Sequence, residues 1–370
     1  MKQRTICKTL AVAVILLFIG VGIQPAIAFD TVKGFSNPLS DKSVIIVDDE
    51  GDGDYISIKE AVNYSSPGDI IEVYSGIYRE EGIRIEKDNI SLIGIEHELG
   101  EGNDTGKPFI KPDGNATVIV VNASHVIISN FRIEKLARGF CIHLGADNPN
   151  LDQNNNTVSD CLIRNPYGYG IKVYRIGRNV NIINNQVSNC NTVGIDVFSS
   201  YVTIKGNVIT DCSIVGIALL GGMENISYNT LKRCRTGIRI RGSHTVIYGN
   251  KFEACATGIL NNDGNNNIIQ GNNIELCPIG YSNEYGGGNR IIKNNFKECW
   301  NFLPWFKVSF LDFLKKDRWI ENYWDNWKGF GPKRIFGIVI IGIPLGEWGI
   351  SIPILRFVFD YHPTKEPYDI

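Results

Sequence analysis

One short phrase is written seven times between Asn156 and Cys299, and it constrains the fold more than any other feature. Each copy has an asparagine, an apolar residue two positions later and a cysteine five positions after the asparagine. The cysteines are Cys161, Cys190, Cys212, Cys234, Cys255, Cys277 and Cys299. From Cys190 onward the intervals are 22, 22, 21, 22 and 22 residues. Self-similarity at such a period is typical of a solenoid.

The pattern inside each repeat indicates which solenoid forms. Apolar pairs such as Ile195 and Val197, or Ile217 and Leu219, alternate with the two-residue period of a strand. Asparagine and glycine, which separate these pairs, tolerate the left-handed backbone of tight corners. About 22 residues suffice for three short strands and three corners, and such coils stack roughly 4.8 Å apart. The prediction is an all-β fold, a single-stranded right-handed parallel β-helix with a ladder of stacked asparagines.

Both ends of the chain carry motifs that accompany such repeats. The start contains Ser57–Val62, Pro67–Val73 and Gly76–Glu80, and the end contains Asn322–Asp325 and a final Pro-Tyr-Asp-Ile. With these motifs the chain resembles the pectate-lyase-like β-helix superfamily, and more narrowly the archaeal surface proteins with NosD-like (PbH1) repeats. The resemblance covers nearly all of the chain after residue 28. It implies a β-helix from end to end, whereas chemistry does not follow from this fold alone.

The first 28 residues read as an export signal. Lys2, Arg4 and Lys8 precede an apolar run, Leu10–Ile23, and a small-residue cleavage site at 26–28. An uncleaved membrane anchor is the alternative, but the run is short for spanning a bilayer. The predicted organisation is a signal peptide at 1–28, an N-terminal strand and helix cap at 29–82, β-helix repeats at 83–299 and a C-terminal cap at 300–370.

The charge balance excludes one class of partner. The chain has 37 basic and 39 acidic residues, and loss of the signal leaves 34 against 39, a net charge of −5. A mildly acidic exported chain is a poor nucleic-acid binder. We therefore expect no nucleic-acid partner, membrane contact only through the uncleaved signal, and an extracytoplasmic location, either secreted or at the cell surface.

The N-terminal cap combines a short helix with an acidic turn. Ser57 and Glu60 form a capping box for a helix that reaches Tyr64 and covers the first coil. The turn before it matches an EF-hand loop only partly, because Lys59 stands where a bidentate glutamate is needed. Calcium near Asp48, Asp52 and Asp54 is the alternative to a solvated acidic turn.

The C-terminal segment is rich in tryptophan. All six tryptophans fall between Trp300 and Trp348, which predicts a cap of large aromatic side chains over the last coil. An apolar segment, Ile335–Phe359, offers a membrane anchor as an alternative, but two prolines, a glutamate and an arginine interrupt it. A folded cap is therefore favoured.

The seven repeat cysteines are expected to form one buried column of free thiols. The coil spacing exceeds the ~3.8 Å between the Cβ atoms of a disulfide. The interval of 29 residues between Cys161 and Cys190 is assigned to an insertion around Pro166–Tyr169. A Cu(I)-binding column is the alternative, since the resemblance to bacterial NosD proteins implies copper-site maturation. Against it, the chain after the signal has a single methionine, Met223, and scattered histidines.

The strand after each repeat glycine supplies the candidate site. Two positions past the glycines stand Cys141, Lys172, Asp196, Ala218, Arg239 and Leu260. Four positions past them stand His143, Tyr174, Phe198, Leu220, Arg241 and Asn262. Strand alternation puts both columns on one outward face. Flat aromatic rings beside charged groups suit a sugar chain, particularly an acidic one, and the carbohydrate-binding candidates are His143, Tyr174, Phe198 and Arg241. Side chains that merely decorate a solvated sheet are the alternative.

Catalysis at this face would rest on Asp196 with Lys172 or Arg239. Lyases of this fold use calcium-holding acids with an arginine or lysine base, and hydrolases use clustered carboxylates. Neither signature string is present, and Asp196 is the only acid in the two columns. The favoured function is a non-catalytic surface or secreted protein that binds a polysaccharide or cell-surface glycan, or serves as a structural element. A polysaccharide lyase or glycoside hydrolase, and a NosD-like accessory protein for copper sites, are the alternatives.

Overall fold

The computed structural model describes residues 43–145, 154–174, 178–299, 305–308, 317–345 and 348–370. This part of the chain winds into a right-handed parallel β-helix of about 11 turns and contains almost no α-helix. The predicted all-β parallel solenoid is confirmed. The predicted signal peptide lies outside the described residues.

Three parallel sheets, here called A, B and C, run the length of the stack. Sheet A contains, in spatial order, Val44–Val47, Ile70–Val73, Ser91–Gly94, Ile127–Ser129, Thr157–Ser159, Val180–Ile183, Val202–Lys205, Asn225–Ser227, Val246–Tyr248, Ile268–Gln270, Arg290–Ile292, Arg318–Ile320, Trp348–Asp360, Lys333–Leu345 and Trp305–Val308. Sheet B contains Ile77–Tyr78, Phe109–Ile110, Arg132–Glu134, Leu162–Arg164, Gln186–Ser188, Val208–Thr210, Thr230–Lys232, Lys251–Glu253, Asn273–Glu275, Asn295–Lys297 and Tyr323–Trp324. Sheet C contains Ile83–Ile85, Ile119–Val121, Phe140–Leu144, Tyr169–Val173, Val193–Val197, Val215–Leu219, Thr236–Ile240, Thr257–Asn262 and Ile279–Tyr285.

The inward faces of the three sheets form one apolar core made mostly of isoleucine, valine and leucine. The repeat glycine stands where the chain turns from sheet B into sheet C. A Cβ atom on Gly194 would lie 2.7 Å from the carbonyl oxygen of Gly216, so no larger residue fits without a shift. This close approach explains why the glycine recurs in each repeat.

The helix α1, Ile58–Tyr64, lies beside the first strands with Ile58, Ala61 and Val62 buried. Ser57 Oγ accepts a hydrogen bond from the backbone N–H of Glu60 at 3.2 Å, as the capping box predicts. The other free N–H groups of the first turn donate to Glu80, a residue of the following coil. The carboxylate of Glu80 therefore links the N-terminal helix to the stacked coils.

A ladder of buried asparagines runs along the corner between sheets A and B. The side-chain oxygen of each member accepts the backbone N–H and the side-chain N–H of the asparagine one coil earlier, at 2.8–3.0 Å. The ladder ends on Asp360, whose Oδ2 accepts both donors of the last asparagine at 3.0 Å. Its members are Asn185, Asn207, Asn229, Asn250, Asn272, Asn294 and Asn322.

The structure corrects the phase of the first repeat. Val158 pairs with Ile182 and Leu162 with Gln186. Cys161, and not Asn156, therefore precedes the ladder, and its backbone N–H donates to Asn185 Oδ1 at 3.0 Å. The prediction of seven cysteines in one column is wrong, and so is the insertion invoked to explain the long interval. Both errors arise because the same Asn-to-Cys spacing recurs at a different corner.

The cysteine column lies at the corner between sheets B and C and holds six thiols, Cys190 to Cys299. Asn165 stands at its head, since Asn191 donates to the Asn165 carbonyl as Ser213 does to that of Cys190. All eight described cysteines are free and buried, including Cys141 and Cys161, which lie outside the column.

A second polar ladder fills the corner between sheets C and A and ends on Asp317. Asn267 Oδ1 accepts the N–H of Thr245 at 2.8 Å, and Asn289 Oδ1 accepts that of Asn267 at 2.9 Å. Asp317 accepts two bonds from Asn289, one from Asn283 and one from Tyr281. Burial nevertheless raises the pKa of Asp317 to about 6.

Aromatic side chains close the C-terminal end of the core. Trp319 pairs with Ile291 in sheet A and Trp324 with Phe296 in sheet B, so both extend the stack by one coil. Trp324 stacks on Phe296 with ring centroids 4.3 Å apart and donates to Asp360 at 3.3 Å. The predicted apolar insert corresponds to two antiparallel strands, Lys333–Leu345 and Trp348–Asp360. Within the described residues, no helix is long and apolar enough to cross a membrane.

The asparagine ladder predicts a large effect for a single truncation. Asn229→Ala removes the oxygen that accepts two hydrogen bonds from Asn207 and the amide that donates to the carbonyl of Ile204. We expect the free energy of unfolding to fall by roughly 3–6 kcal/mol. Asn181→Ala is the control, because this half-buried residue makes one long bond to Asn179 and should lose less than about 1 kcal/mol. Equal losses in denaturant titrations would contradict the role of the ladder.

Asp317 predicts a pH dependence of stability. Its folded pKa of about 6 exceeds the ordinary value of 3.8, so the folded state holds the proton more tightly and stability falls as the pH rises through this window. Relative to wild type, Asp317→Asn should gain up to about 3 kcal/mol between pH 4 and pH 8. Asp211→Asn is the control: Arg233 lowers the pKa of Asp211, so its difference should stay nearly constant above pH 4. A constant difference for Asp317→Asn as well would refute the assignment.

Candidate functional site

The outer face of sheet C carries three parallel columns of side chains. Strand register defines the middle column as Val120, His143, Lys172, Asp196, Ala218, Arg239 and Leu260. The column toward sheet B is Phe140, Tyr169, Val193, Val215, Thr236 and Thr257. The column toward sheet A is Tyr174, Phe198, Leu220, Arg241 and Asn262. We call this surface the outer face of sheet C.

The structure places Lys172, Asp196 and Arg239 in one column, as their spacing predicts. It moves His143, because Cys141 and not Gly139 occupies the position of the repeat glycine in that coil. His143 pairs with Lys172, one column away from its predicted place. Cys141 is buried and its thiol lies inside the fold, near the carbonyl oxygen of Arg164 at 3.6 Å.

The ammonium group of Lys172 lies among four aromatic rings. Its Nζ atom is 4.8 Å from the ring centroid of Phe140, 5.9 Å from Tyr169, 5.1 Å from Tyr174 and 5.0 Å from Phe198. Each ring attracts a cation through the negative face of its π system, and several rings acting together hold the side chain in place. This cluster of one lysine and four rings is the most ordered feature of the outer face.

The rings do not form the flat platform expected from the sequence. Tyr174 and Phe198 meet edge to face, with centroids 5.3 Å apart and planes at 69°. The centroids of His143 and Tyr174 are 6.4 Å apart. The aromatic rings therefore surround Lys172 at different angles, and the cluster exposes ring edges as well as ring faces.

Asp196 lies beside this cluster and is almost covered, with 5% of its surface exposed. Burial raises the pKa of its carboxyl group, while the charges of Lys172 and Arg239 act in the opposite direction. The next residue in the column, Ala218, has no exposed surface and no side chain beyond Cβ. Ala218 packs with Val193 and Val215 in a small apolar cluster. It separates Asp196 from Arg239, which lie two coils or roughly 9.6 Å apart along the stack.

The part of the outer face beyond Ala218 is basic and polar. The Nε atom of Arg239 is buried without a hydrogen-bond partner, and burial together with the charge of Arg241 lowers the pKa of Arg239. Arg241 Nε donates to Asn262 Oδ1 at 3.1 Å, and the Asn262 amide donates to Glu284. A ligand with a negative group would find an unsatisfied donor at Arg239.

Sequence reasoning missed Phe140, Tyr169 and Glu284. Phe140 and Tyr169 stand directly before the position of the repeat glycine, where the turn from sheet B makes one more side chain point outward. An aromatic residue at that position in two successive repeats was the available signal. Glu284 follows an irregularity in strand register at Asn261 and Asn262, which no periodic pattern reveals.

A second group of functional side chains lies near the N-terminal cap. Ligand atoms of Asp48, Glu50 and Glu98 lie within 4.8 Å of one another, and so do those of Asp49, Glu50 and Asp104. Of the three acids named for calcium, only Asp48 belongs to these groups. Asp54 instead accepts the backbone N–H of Ile46 at 2.9 Å.

Two family models match parts of the chain. The model described as "Right handed beta helix region" matches residues 103–223, and that described as "Periplasmic copper-binding protein (NosD)" matches residues 197–302. No curated protein sequence matches the chain.

Solved β-helix structures resemble the chain at low identity. Tailspike protein 2 from Escherichia coli O157:H7 bacteriophage CAB120 has 13% identity and a TM-score of 0.49 over 77% of this chain and 36% of its own. The alginate lyase AlyGC has 14% identity and a TM-score of 0.42 over 76% of this chain and 38% of its own. The DFA-IIIase from Arthrobacter chlorophenolicus A6 has 12% identity and a TM-score of 0.44 over 77% and 81%.

This chain thus spans little more than a third of the tailspike and of the lyase. At such identities the likeness says nothing about activity. The family matches and the winding of the backbone together identify the chain as a NosD-like right-handed parallel β-helix protein.

Proposed function

We propose that this protein is exported and binds an acidic polysaccharide or cell-surface glycan on the outer face of sheet C, without cleaving it. The observation that carries the proposal is the position of Lys172 among four aromatic rings, on a face that also carries Arg239 and Arg241. Aromatic rings pack against the apolar faces of sugars, and the cations of this face attract uronic-acid carboxylates. The export signal at 1–28 supplies the route to such a ligand.

The charges of the outer face of sheet C favour an acidic ligand over a neutral one. Arg239 has a buried Nε donor without a partner, and leaving such a donor unpaired is unfavourable. A ligand carboxylate that reached this group would accept a hydrogen bond from it. The single acid nearby, Asp196, is nearly covered and has a raised pKa, so it opposes such a ligand less than an exposed carboxylate would.

The arrangement of carboxylates supports binding rather than hydrolysis. Glycoside hydrolases need two carboxyl groups about 5–10 Å apart. Among the described residues, the other acid on this face is Glu284, which belongs to the strand four coils from that of Asp196, roughly 19 Å along the stack. In the described part of the chain, the catalytic set named from the sequence, Asp196 with Lys172 or Arg239, thus has no second carboxylate within reach.

The copper chemistry of the matched family does not fit the cysteines of this chain. Cu(I) requires thiolates, whereas each thiol of the column lies within donating distance of a backbone carbonyl, as Cys277 does to Glu275 at 3.3 Å. Burial raises the pKa of Cys299 to about 12. Met223 is 48% exposed and follows a different corner. We therefore assign no copper-dependent step to the column.

Binding to polysaccharides tests the proposed function. We expect the purified protein to be retarded in gels that contain a uronic-acid polysaccharide and less in neutral ones. Lys172→Ala and Phe198→Ala should each weaken the apparent affinity about tenfold, the effect of losing roughly 1.4 kcal/mol. Tyr228→Ala is the matched control, because Tyr228 is 54% exposed but lies at the corner between sheets A and B.

Product analysis of the same samples separates binding from catalysis. Retardation without new reducing ends or unsaturated products supports the proposal. Products that disappear in Asp196→Ala would show a lyase or hydrolase instead. Equal retardation of Lys172→Ala, Tyr228→Ala and wild type would move the site away from the outer face of sheet C.

A copper titration tests the assignment of the cysteine column. We expect the folded, reduced protein to take no Cu(I) from a strong chelator, since its thiols are buried and lie within donating distance of backbone carbonyls. Uptake should begin only at denaturant concentrations that unfold the chain. Stoichiometric uptake by the folded protein, lost in Cys234→Ser, would favour the copper-accessory function instead.

A further inference from the structure

We propose that the N-terminal cap holds one calcium ion between Asp48, Glu50 and Glu98, with Asp49 and Asp104 beside it. The ligand atoms of Asp48, Glu50 and Glu98 lie within 4.8 Å of one another. Oxygens bound to calcium at about 2.4 Å lie on a sphere whose diameter is about 4.8 Å. One calcium ion can therefore contact all three carboxylates.

A second observation is independent of the spacing. Asp48 has no exposed surface, and its Oδ2 accepts the backbone N–H groups of Gly51 and Asp52, each at 3.1 Å. Its Oδ1 is buried and accepts no hydrogen bond, and the same holds for Oδ1 of Asp49. A buried carboxylate oxygen without a partner is costly, and a cation would satisfy it. The bonds to Oδ2 leave Oδ1 as the atom available to the ion.

The local charges point to a cation as the missing partner. Of the ion pairs found among the described residues, none includes these five acids. Five carboxylates with no nitrogen or sulfur ligand favour a hard cation such as calcium.

The site would join two segments distant in sequence. Asp48, Asp49 and Glu50 follow the first strand of sheet A, whereas Glu98 and Asp104 belong to a loop after the strand Ser91–Gly94. Glu98 already holds this loop, since its side chain accepts the backbone N–H groups of Leu99 and Asp104. An ion shared by both segments would fasten the loop over the edge of the first coil.

Calcium titration of the full chain tests the proposal, with thermal unfolding and limited proteolysis as readouts. We expect one calcium ion per chain by calorimetry, a higher midpoint of thermal unfolding in calcium and slower cleavage within residues 96–105. Glu50→Gln should weaken calcium binding at least tenfold, and as an exposed residue Glu50 is the safest ligand to change. Glu98→Gln should do the same.

The control is Asp52→Asn, an exposed acid of the same turn outside the cluster. It should bind calcium as wild type does. Absence of calcium binding at millimolar concentrations would overturn the site. So would an equal loss in Asp52→Asn and Glu50→Gln, or tighter binding of magnesium, whose bonds of about 2.1 Å need a smaller cage.

Discussion

The fold depends on one hydrogen-bonded unit, an asparagine that follows a left-handed corner. The corner residues, for example Asn184 with φ 57° and Tyr228 with φ 56°, turn the chain from sheet A to sheet B. The backbone N–H after the corner has no strand partner, and the asparagine one coil further supplies the oxygen that accepts it. Because that oxygen also accepts an amide side chain, each coil fixes the position of the next. Sheet register, the core and the columns on the outer faces all follow from this coupling.

Much of the fold could be predicted because its period is visible in the sequence. Strand alternation placed Lys172, Asp196 and Arg239 in a column, and the serine of the capping box was found where expected. The phase of the first repeat was beyond reach, since a spacing of five residues from asparagine to cysteine cannot reveal which corner it occupies. The pairing of Val158 with Ile182 and of Leu162 with Gln186 resolves this. Only the three-dimensional structure shows that a cysteine occupies the position that an asparagine holds in the following coils.

The candidate sites were less predictable for a physical reason. The orientation of the rings around Lys172 depends on how neighbouring side chains pack. The order of residues in the sequence does not contain the angles between these rings. The partners of Asp48 came from a loop some fifty residues away, brought near by the stacking of coils. The acids expected from a local loop pattern, Asp52 and Asp54, serve the turn itself or face solvent. The local motif therefore predicted the acidic region of the N-terminal cap. Which acids lie close together there depends on how the coils stack.

The asparagine ladder has a direction, and this makes the two ends of the stack chemically unlike. Each asparagine in it donates its backbone N–H and an amide hydrogen to the side-chain oxygen one coil closer to the C-terminus, so the last position needs a group that only accepts. Asp360 is that group, and the indole N–H of Trp324 also donates a hydrogen bond to its carboxylate. Whole coils can thus be duplicated or deleted between Asn185 and Asn294 during evolution without disturbing either terminus. The final segment cannot be lost in the same way, because it carries the acceptor on which the polarity of all preceding coils ends.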